Sequence, residues 1–129
     1  MLDVKDLNIE FHDHLVPETV VHQVSFHMDE GEIVGLVGES GSGKSMTALA
    51  IAGLLSRHDM KKTGEILFEG TDLLHCERSF LRELQGNDIS VVFQEPMTSL
   101  NPVYRIGWQL VLLFCIHHPE LSAQDCFFC

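Results

Sequence analysis

Eight residues, GESGSGKS at positions 38–45, constrain this chain more than any other feature of its sequence. They match the pattern G-x-x-x-x-G-K-[ST] in full. Glycines in such a loop accept backbone angles that other residues resist, so successive N–H groups can turn inward on phosphate oxygens. The residues predicted to bind phosphate are therefore Gly38, Glu39, Ser40, Gly41, Ser42, Gly43, Lys44 and Ser45.

The residues on either side of the loop support this interpretation. Residues 33–37, IVGLV, form a short apolar run that suits a buried strand, and apolar residues recur at helical spacing after the loop. A helix from about Lys44 would point its positive end at bound phosphate. Lys44 would then reach the β- and γ-phosphates, and the Ser45 hydroxyl would ligate Mg²⁺. A Gly/Ser turn that matches by accident is the alternative.

Apolar periodicity predicts the remaining elements. Strands are predicted where apolar and polar residues alternate or where a short apolar run occurs, namely at residues 7–11, 24–28, 33–37, 66–68 and 89–93. Residues 80–84 predict a short amphipathic helix that Gly86 ends, and residues 57–63 predict a polar connection. The order predicts an antiparallel β portion merged with the start of an α/β sheet.

Charge and composition limit the kinds of partner. Eight Lys and Arg face 19 Asp and Glu, for a formal charge of −11, which argues against nucleic acid as a partner. The first residues are charged and show no signal peptide. The longest apolar run, residues 110–116, is too short to span a bilayer. Four cysteines without a disulfide-framework spacing predict reduced thiols.

A second motif narrows the class of phosphate-binding protein. The G-protein motifs D-x-x-G and N-K-x-D are absent. The stretch VVFQEPMTSLNP at residues 91–102, with "LVGESGSGKSMTALAIAGLL" and "GEILFEGTDLL", resembles the ATP-binding subunit of ABC transporters. More narrowly, it resembles the branch that imports oligopeptides, dipeptides or nickel. The resemblance runs from Leu2 to about Glu120.

The resemblance implies a fold and a division of the chain. The fold class is α/β, a P-loop NTPase of the ABC ATPase type with an antiparallel β subdomain, an incomplete core sheet and a truncated helical subdomain. Residues 1–107 would be the N-terminal part of the nucleotide-binding domain, from Walker A to the Q-loop. Residues 108–129 would begin the helical subdomain and end in a divergent tail, expected to be disordered.

The resemblance also implies roles for individual residues. Residues 38–45 correspond to the Walker A loop, and Gln94 corresponds to the Q-loop glutamine, which joins Mg²⁺ and the attacking water. An ordinary glutamine at a strand end is the alternative for Gln94. Phe11 lies where family members stack an aromatic ring on adenine, although a lone Phe at a strand end is more often part of a core.

The implied function is ATP-driven import. ATP and Mg²⁺ are the expected cofactors, and the expected partners are a second ATPase subunit and transmembrane permease subunits. The expected location is peripheral, on the cytoplasmic side of the inner membrane. The sequence leaves open whether the transported substrate is a peptide, nickel or another solute.

Several motifs of a complete subunit are not in these 129 residues. There is no LSGGQ-type signature, no apolar strand ending in the Asp-Glu pair of Walker B and no downstream switch His. Residues 121–125, LSAQD, lack the glycine pair of a signature. We therefore expect a truncated or frameshifted frame, or a cut fragment, that is inactive in hydrolysis by itself. A non-catalytic nucleotide-binding remnant is the alternative, and a free-standing P-loop kinase or phosphatase is a third.

The C-terminal tail offers one metal-binding alternative. His117, His118, Cys126 and Cys129 include a C-x-x-C pair and could ligate zinc. Adjacent histidines seldom converge on one metal, and a short motif at a free terminus frays. We therefore expect no zinc site here.

Overall fold

The computed structural model describes residues 1–12, 16–55, 59–94 and 100–118. The chain divides into two compact units, Met1–Val91 and Val92–Cys129. Among the described residues of the first unit there are four strands and two helices, namely β1 Leu2–Phe11, β2 Glu18–Met28, α1 Lys44–Ile51, β3 Met60–Phe68, β4 Thr71–Asp72 and α2 Arg78–Leu84. The second contains helix α3, Ile106–His117.

The strands form one antiparallel sheet in the order β2-β1-β3-β4, as the alternating pattern predicted. The buried face changes phase along β1: Leu2 and Val4 are buried first, then Leu7 and Ile9. A bulge causes this change, because the β1 register shifts after Val4 and Asp6 takes a positive φ of 47°. The bulge lets a single strand keep its apolar side chains on one face.

Gly64 on β3 makes this bulge possible. Its φ is 103°, and a Cβ there would lie 2.5 Å from the carbonyl oxygen of Asp6. No other residue type would fit without moving the backbone of β1.

One side of the sheet carries the hydrophobic core of the first unit. Leu7, Ile9 and Ile66 are fully buried, with Val4 and Val21 almost so. Ala50 of α1, Leu55, Leu73 and Leu84 complete the cluster. Burying each large apolar side chain contributes about 1.5–3 kcal/mol, so this cluster holds α1 against the sheet.

Two predicted strands are wrong. Residues 33–37 form no strand, and the side chains of Ile33 and Val37 are 97% and 92% exposed. Residues 89–93 contribute only one isolated bridge, between Ile89 and Gln85, and Val92 is 93% exposed. An apolar strand of a parallel sheet needs hydrogen-bonded neighbours, and within the described residues neither run has a paired strand.

The predicted polar connection at residues 57–63 is also wrong in part. β3 begins at Met60, and residues 60–63 pair with residues 8–11 of β1. Backbone pairing with β1 outweighs the polar character of this segment, whose Lys61 and Thr63 face solvent. The segment joins the sheet because its N–H and C=O groups find partners there.

The helices begin close to their predicted positions. α1 ends at Ile51, because Gly53 takes a left-handed φ of 68°, so Gly53 and Leu54 lie beyond the helix. α2 ends before Gly86, as predicted. α3 covers the apolar segment, yet only Val111 of it is buried. None of the helices in the described ranges is long and apolar enough to cross a membrane.

A turn after β4 sets the approach to α2. Asp72 Oδ1 accepts hydrogen bonds from the N–H groups of Ile66 (3.3 Å) and Leu74 (3.0 Å), and Oδ2 pairs with His75 Nδ1 at 2.5 Å. Burial acts to raise the pKa of Asp72, but the hydrogen bonds from His75 and from the two backbone groups outweigh it and lower the pKa overall. The ionised carboxylate therefore closes the turn.

Candidate nucleotide-binding site

The glycine-rich loop follows the exposed apolar run and leads directly into α1. Gly41 and Gly43 take left-handed φ angles of 83° and 82°, and Gly43 is the N-cap of the helix. Residues other than glycine rarely adopt such backbone angles. The two glycines therefore serve the purpose that the motif predicted, which is to turn the backbone tightly before the helix.

Gly43 also anchors the loop to the sheet. A Cβ at this position would lie 2.6 Å from the carbonyl oxygen of Val20 and 2.9 Å from Cγ2 of Val21, both on β2. At Gly41 a Cβ would meet nothing within 4 Å. Two separate features therefore require glycine at position 43, namely its left-handed φ angle and its close approach to β2.

Thr47 of α1 also fixes the position of Gly43. It is buried, and both its N–H (2.8 Å) and its Oγ1 (3.0 Å) donate to the carbonyl oxygen of Gly43. The sequence motif does not include this residue. Its role could have been predicted from its position one turn into the helix, because a threonine hydroxyl there often donates to the carbonyl oxygen four residues back.

The first turn of α1 presents unpaired donors. Within the described residues the N–H groups of Lys44, Ser45 and Met46 have no hydrogen-bond acceptor, and the first backbone bond of the helix runs from Thr47 to Gly43. Such groups at a helix N-terminus bind anions, and the helix dipole favours negative charge there. These N–H groups can therefore receive phosphate oxygens.

Lys44 lies within the curl of the loop. Its Nζ donates to the carbonyl oxygens of Gly38 (2.9 Å) and Glu39 (2.5 Å) and to Ser42 Oγ (3.2 Å). The loop itself is closed by the N–H of Ser42, which donates to Glu39 at 3.2 Å. All three acceptors of the ammonium group are neutral, and within the described residues no acidic side chain pairs with it.

A cavity of about 190 Å³ lies beside the loop. Its lining consists of residues 41–46 and Val20 of β2. Ser45 lines it and is exposed, and within the described residues its hydroxyl has no hydrogen-bond partner. An oxygen ligand of this kind suits Mg²⁺. Ser40, in contrast, is exposed and does not line the cavity.

Phe11 ends β1, as predicted, and its side chain is half-buried. It pairs with Glu18 of β2, while Ile9 two residues earlier pairs with Val21. Val21 lies next to Gly43, so its partner Ile9 marks the point on β1 nearest to the loop. Phe11 is two residues beyond Ile9 along β1, which is roughly 7 Å at 3.3 Å per residue. Its stacking on adenine stays a prediction.

Gln94 belongs to the second unit, where it is exposed and outside any helix or strand. Residues 95–99 of the same motif lie outside the described residues. The role of Gln94 toward Mg²⁺ and water therefore stays a prediction. The zinc alternative also stays untested, because Cys126 and Cys129 lie outside the described residues, and no group of metal ligands occurs among the described ones.

Comparison with known proteins places the chain in a family. Residues 21–122 match the family described as ABC transporter. The chain is 45% identical over 111 residues to the dipeptide transport ATP-binding protein DppD of Haemophilus influenzae, covering 86% of this chain and 34% of that protein. It is 42% identical over 126 residues to the oligopeptide transport ATP-binding protein OppD of Bacillus subtilis, covering 96% and 35%. It thus spans about a third of the length of these relatives.

The fold has a counterpart among solved structures. The ATP-binding cassette MJ0796, solved as a dimer in a post-hydrolysis state bound to ADP and Pi, superposes with a TM-score of 0.68 at 20% identity. The match covers 98% of this chain and 60% of that one. This likeness confirms the predicted fold class. The family match over residues 21–122 shows that the chain belongs to the ABC transporter family.

Proposed function

We propose that this chain is the ATP-binding, N-terminal portion of an importer ATPase for oligopeptides or dipeptides. The geometry of the loop carries the proposal: within the described residues three N–H groups at the start of α1 have no acceptor, and the residues that carry them, Lys44 among them, line the cavity beside the loop. The relatives are named for dipeptide and oligopeptide transport, which supports the substrate class. The whole protein would work with a second ATPase subunit and a permease, at the cytoplasmic face of the inner membrane.

Each predicted site residue would contact a different part of Mg·ATP. Lys44 would exchange its neutral acceptors in the loop for β- and γ-phosphate oxygens, because a charge-assisted hydrogen bond is stronger than a neutral one. Ser45 would supply an oxygen ligand to Mg²⁺, whose charge offsets that of the phosphates. Gln94 would add a second ligand, and Phe11 would stack on adenine. The boundary between the Q-loop region and the helical subdomain stays at residue 107 in this proposal.

Calorimetry of Mg·ATP binding tests the proposal. We expect the Lys44→Ala chain to bind about 10-fold or more weakly, since a hydrogen bond to a charged group contributes roughly 1.5–3 kcal/mol. The matched control is Lys61→Ala, which removes an exposed lysine of β3 and should leave the affinity unchanged. Equal affinity in the original and the Lys44→Ala chain would contradict the proposal.

A further inference from the structure

A second cavity, of about 370 Å³, lies at the C-terminal end of α1. It is bounded by the end of α1, by β3, by the segment after β4 and by α2. None of its lining residues is shared with the cavity beside the glycine-rich loop. Nothing in the function proposed above makes use of it.

One face of α2 forms a wall of this cavity. Arg78, Leu81, Arg82 and Gln85 line it, and their spacing places them on one side of the helix. Gln85 Nε2 donates to the carbonyl oxygen of Ala52 at 2.9 Å and so ties α2 to the end of α1. Leu81 packs against Gly53, where an added Cβ would lie 2.5 Å from Cδ2. The wall is therefore held in place by both contacts.

Positive charge is concentrated in the cavity. Lys62 lines it with Arg78 and Arg82, so three of the eight Lys and Arg residues converge there in a chain of net charge −11. Among the described residues, no Asp or Glu lines it. Within the described residues neither arginine makes an ion pair or a hydrogen bond. Like charges one turn apart destabilise a helix, so this arrangement is unfavourable without an anion.

Lys62 is affected by this concentration of charge. Burial lowers its pKa, and the charge of Arg78 lowers it further. Its Nζ donates to the carbonyl oxygen of Leu55 at 2.6 Å, which leaves two of its three N–H groups for another acceptor. A bound anion would offset the repulsion between Lys62 and Arg78.

The remaining wall is apolar, because Leu73 and Leu74 line it beside Leu81. We propose that this cavity binds a small phosphate monoester, with its phosphate between Lys62, Arg78 and Arg82 and its organic part against the leucines. Arginine pairs with phosphate through two parallel hydrogen bonds, which favours a phosphate over a spherical anion. An apolar wall is typical of a small-molecule site and favours an ester over inorganic phosphate.

A ³¹P line-width titration with phenyl phosphate tests the site. The background is the full chain carrying Lys44→Ala, so that phosphate binding at the glycine-rich loop is weakened. We expect saturable binding that is weaker for inorganic phosphate, and that falls about tenfold or more in Arg78→Gln/Arg82→Gln. Both arginines are exposed, so this variant should fold, which circular dichroism checks. Lys62→Gln is a second variant and should also weaken binding.

The control pair is Lys5→Gln/Lys61→Gln, which removes two exposed cations that do not line the cavity. Binding should persist in it. Equal loss in the control pair would overturn the proposal, because the effect would then be one of net charge. Absence of saturable binding, or unchanged binding in both the arginine and the Lys62 variants, would also overturn it.

Discussion

At the scale of single residues, Gly41 and Gly43 show that one motif contains two different requirements. Both have left-handed φ angles near 83° and 82°. Only Gly43 also approaches another element, because the backbone of Val20 leaves no space for a Cβ. The sequence pattern marks only Gly43 of the two as invariant, and the contact with β2 gives a physical reason for that difference.

We expect Gly43→Ala to lower the free energy of unfolding more than Gly41→Ala. Each variant carries about 1–2 kcal/mol of left-handed strain, and Gly43→Ala adds the clash with β2, about 1–3 kcal/mol more. Urea unfolding of the two variants measures the difference. Equal midpoints would show that the Val20 contact carries no energy.

His27 joins three points of the chain through its imidazole ring. Nδ1 lies 2.7 Å from Asp3 Oδ1 on β1, and Nε2 lies 3.0 Å from Asp29 Oδ1 in the turn that follows β2. Both ring nitrogens donate only when the ring is protonated. The hydrogen bonds to Asp3 and Asp29 raise its pKa above 6.5, so the stabilisation is complete below pH 6.5 and is lost as pH rises through the higher folded-state pKa.

Removing this ring should therefore lower the free energy of unfolding more at acidic pH than at basic pH. We expect His27→Gln to lower the urea midpoint at pH 5.5 and to have a smaller effect at pH 9. His22→Gln is the matched control, since His22 is exposed on the same strand. A larger effect of His27→Gln at the higher pH would contradict the assignment of charge.

At the scale of elements, α3 and the run at residues 33–37 share an excess of exposed apolar surface. On α3 the side chains of Ile106, Trp108, Leu110, Leu112, Leu113, Phe114 and Ile116 are all about half exposed or more. Leaving a large apolar side chain in water forgoes about 1.5–3 kcal/mol. Surfaces of this kind promote association between copies of a chain.

We therefore expect the 129-residue chain to self-associate, and Leu112→Glu/Ile116→Glu to reduce this. Light scattering at equal protein concentrations gives the measurement. The control is His22→Glu/Ser90→Glu, which adds the same charge at exposed polar positions. A monodisperse monomer before any substitution would show the expectation wrong.

At the scale of the whole molecule, local patterns predicted the glycine-rich loop, α1, α2 and parts of β1, β2 and β3, but not β4. Alternation and helical spacing depend on residues close together in the chain, so the strands that carry Ile9 and Ile66 could be predicted from the sequence, and both side chains are buried. The loop motif and the stretch around Gln94 were also enough to predict the family.

Tertiary structure alone decided what depends on distant parts of the chain. Residues 33–37 have the composition of a buried strand, but composition does not supply a neighbouring strand, and they are exposed. The contact of Gly43 with Val20 arises because β2 passes beneath the loop. Lys62 lines the same cavity as Arg78 and Arg82 because β3 and α2 both border the end of α1. The periodicity of a sequence tells which face of an element can be buried; only packing decides what lies against that face.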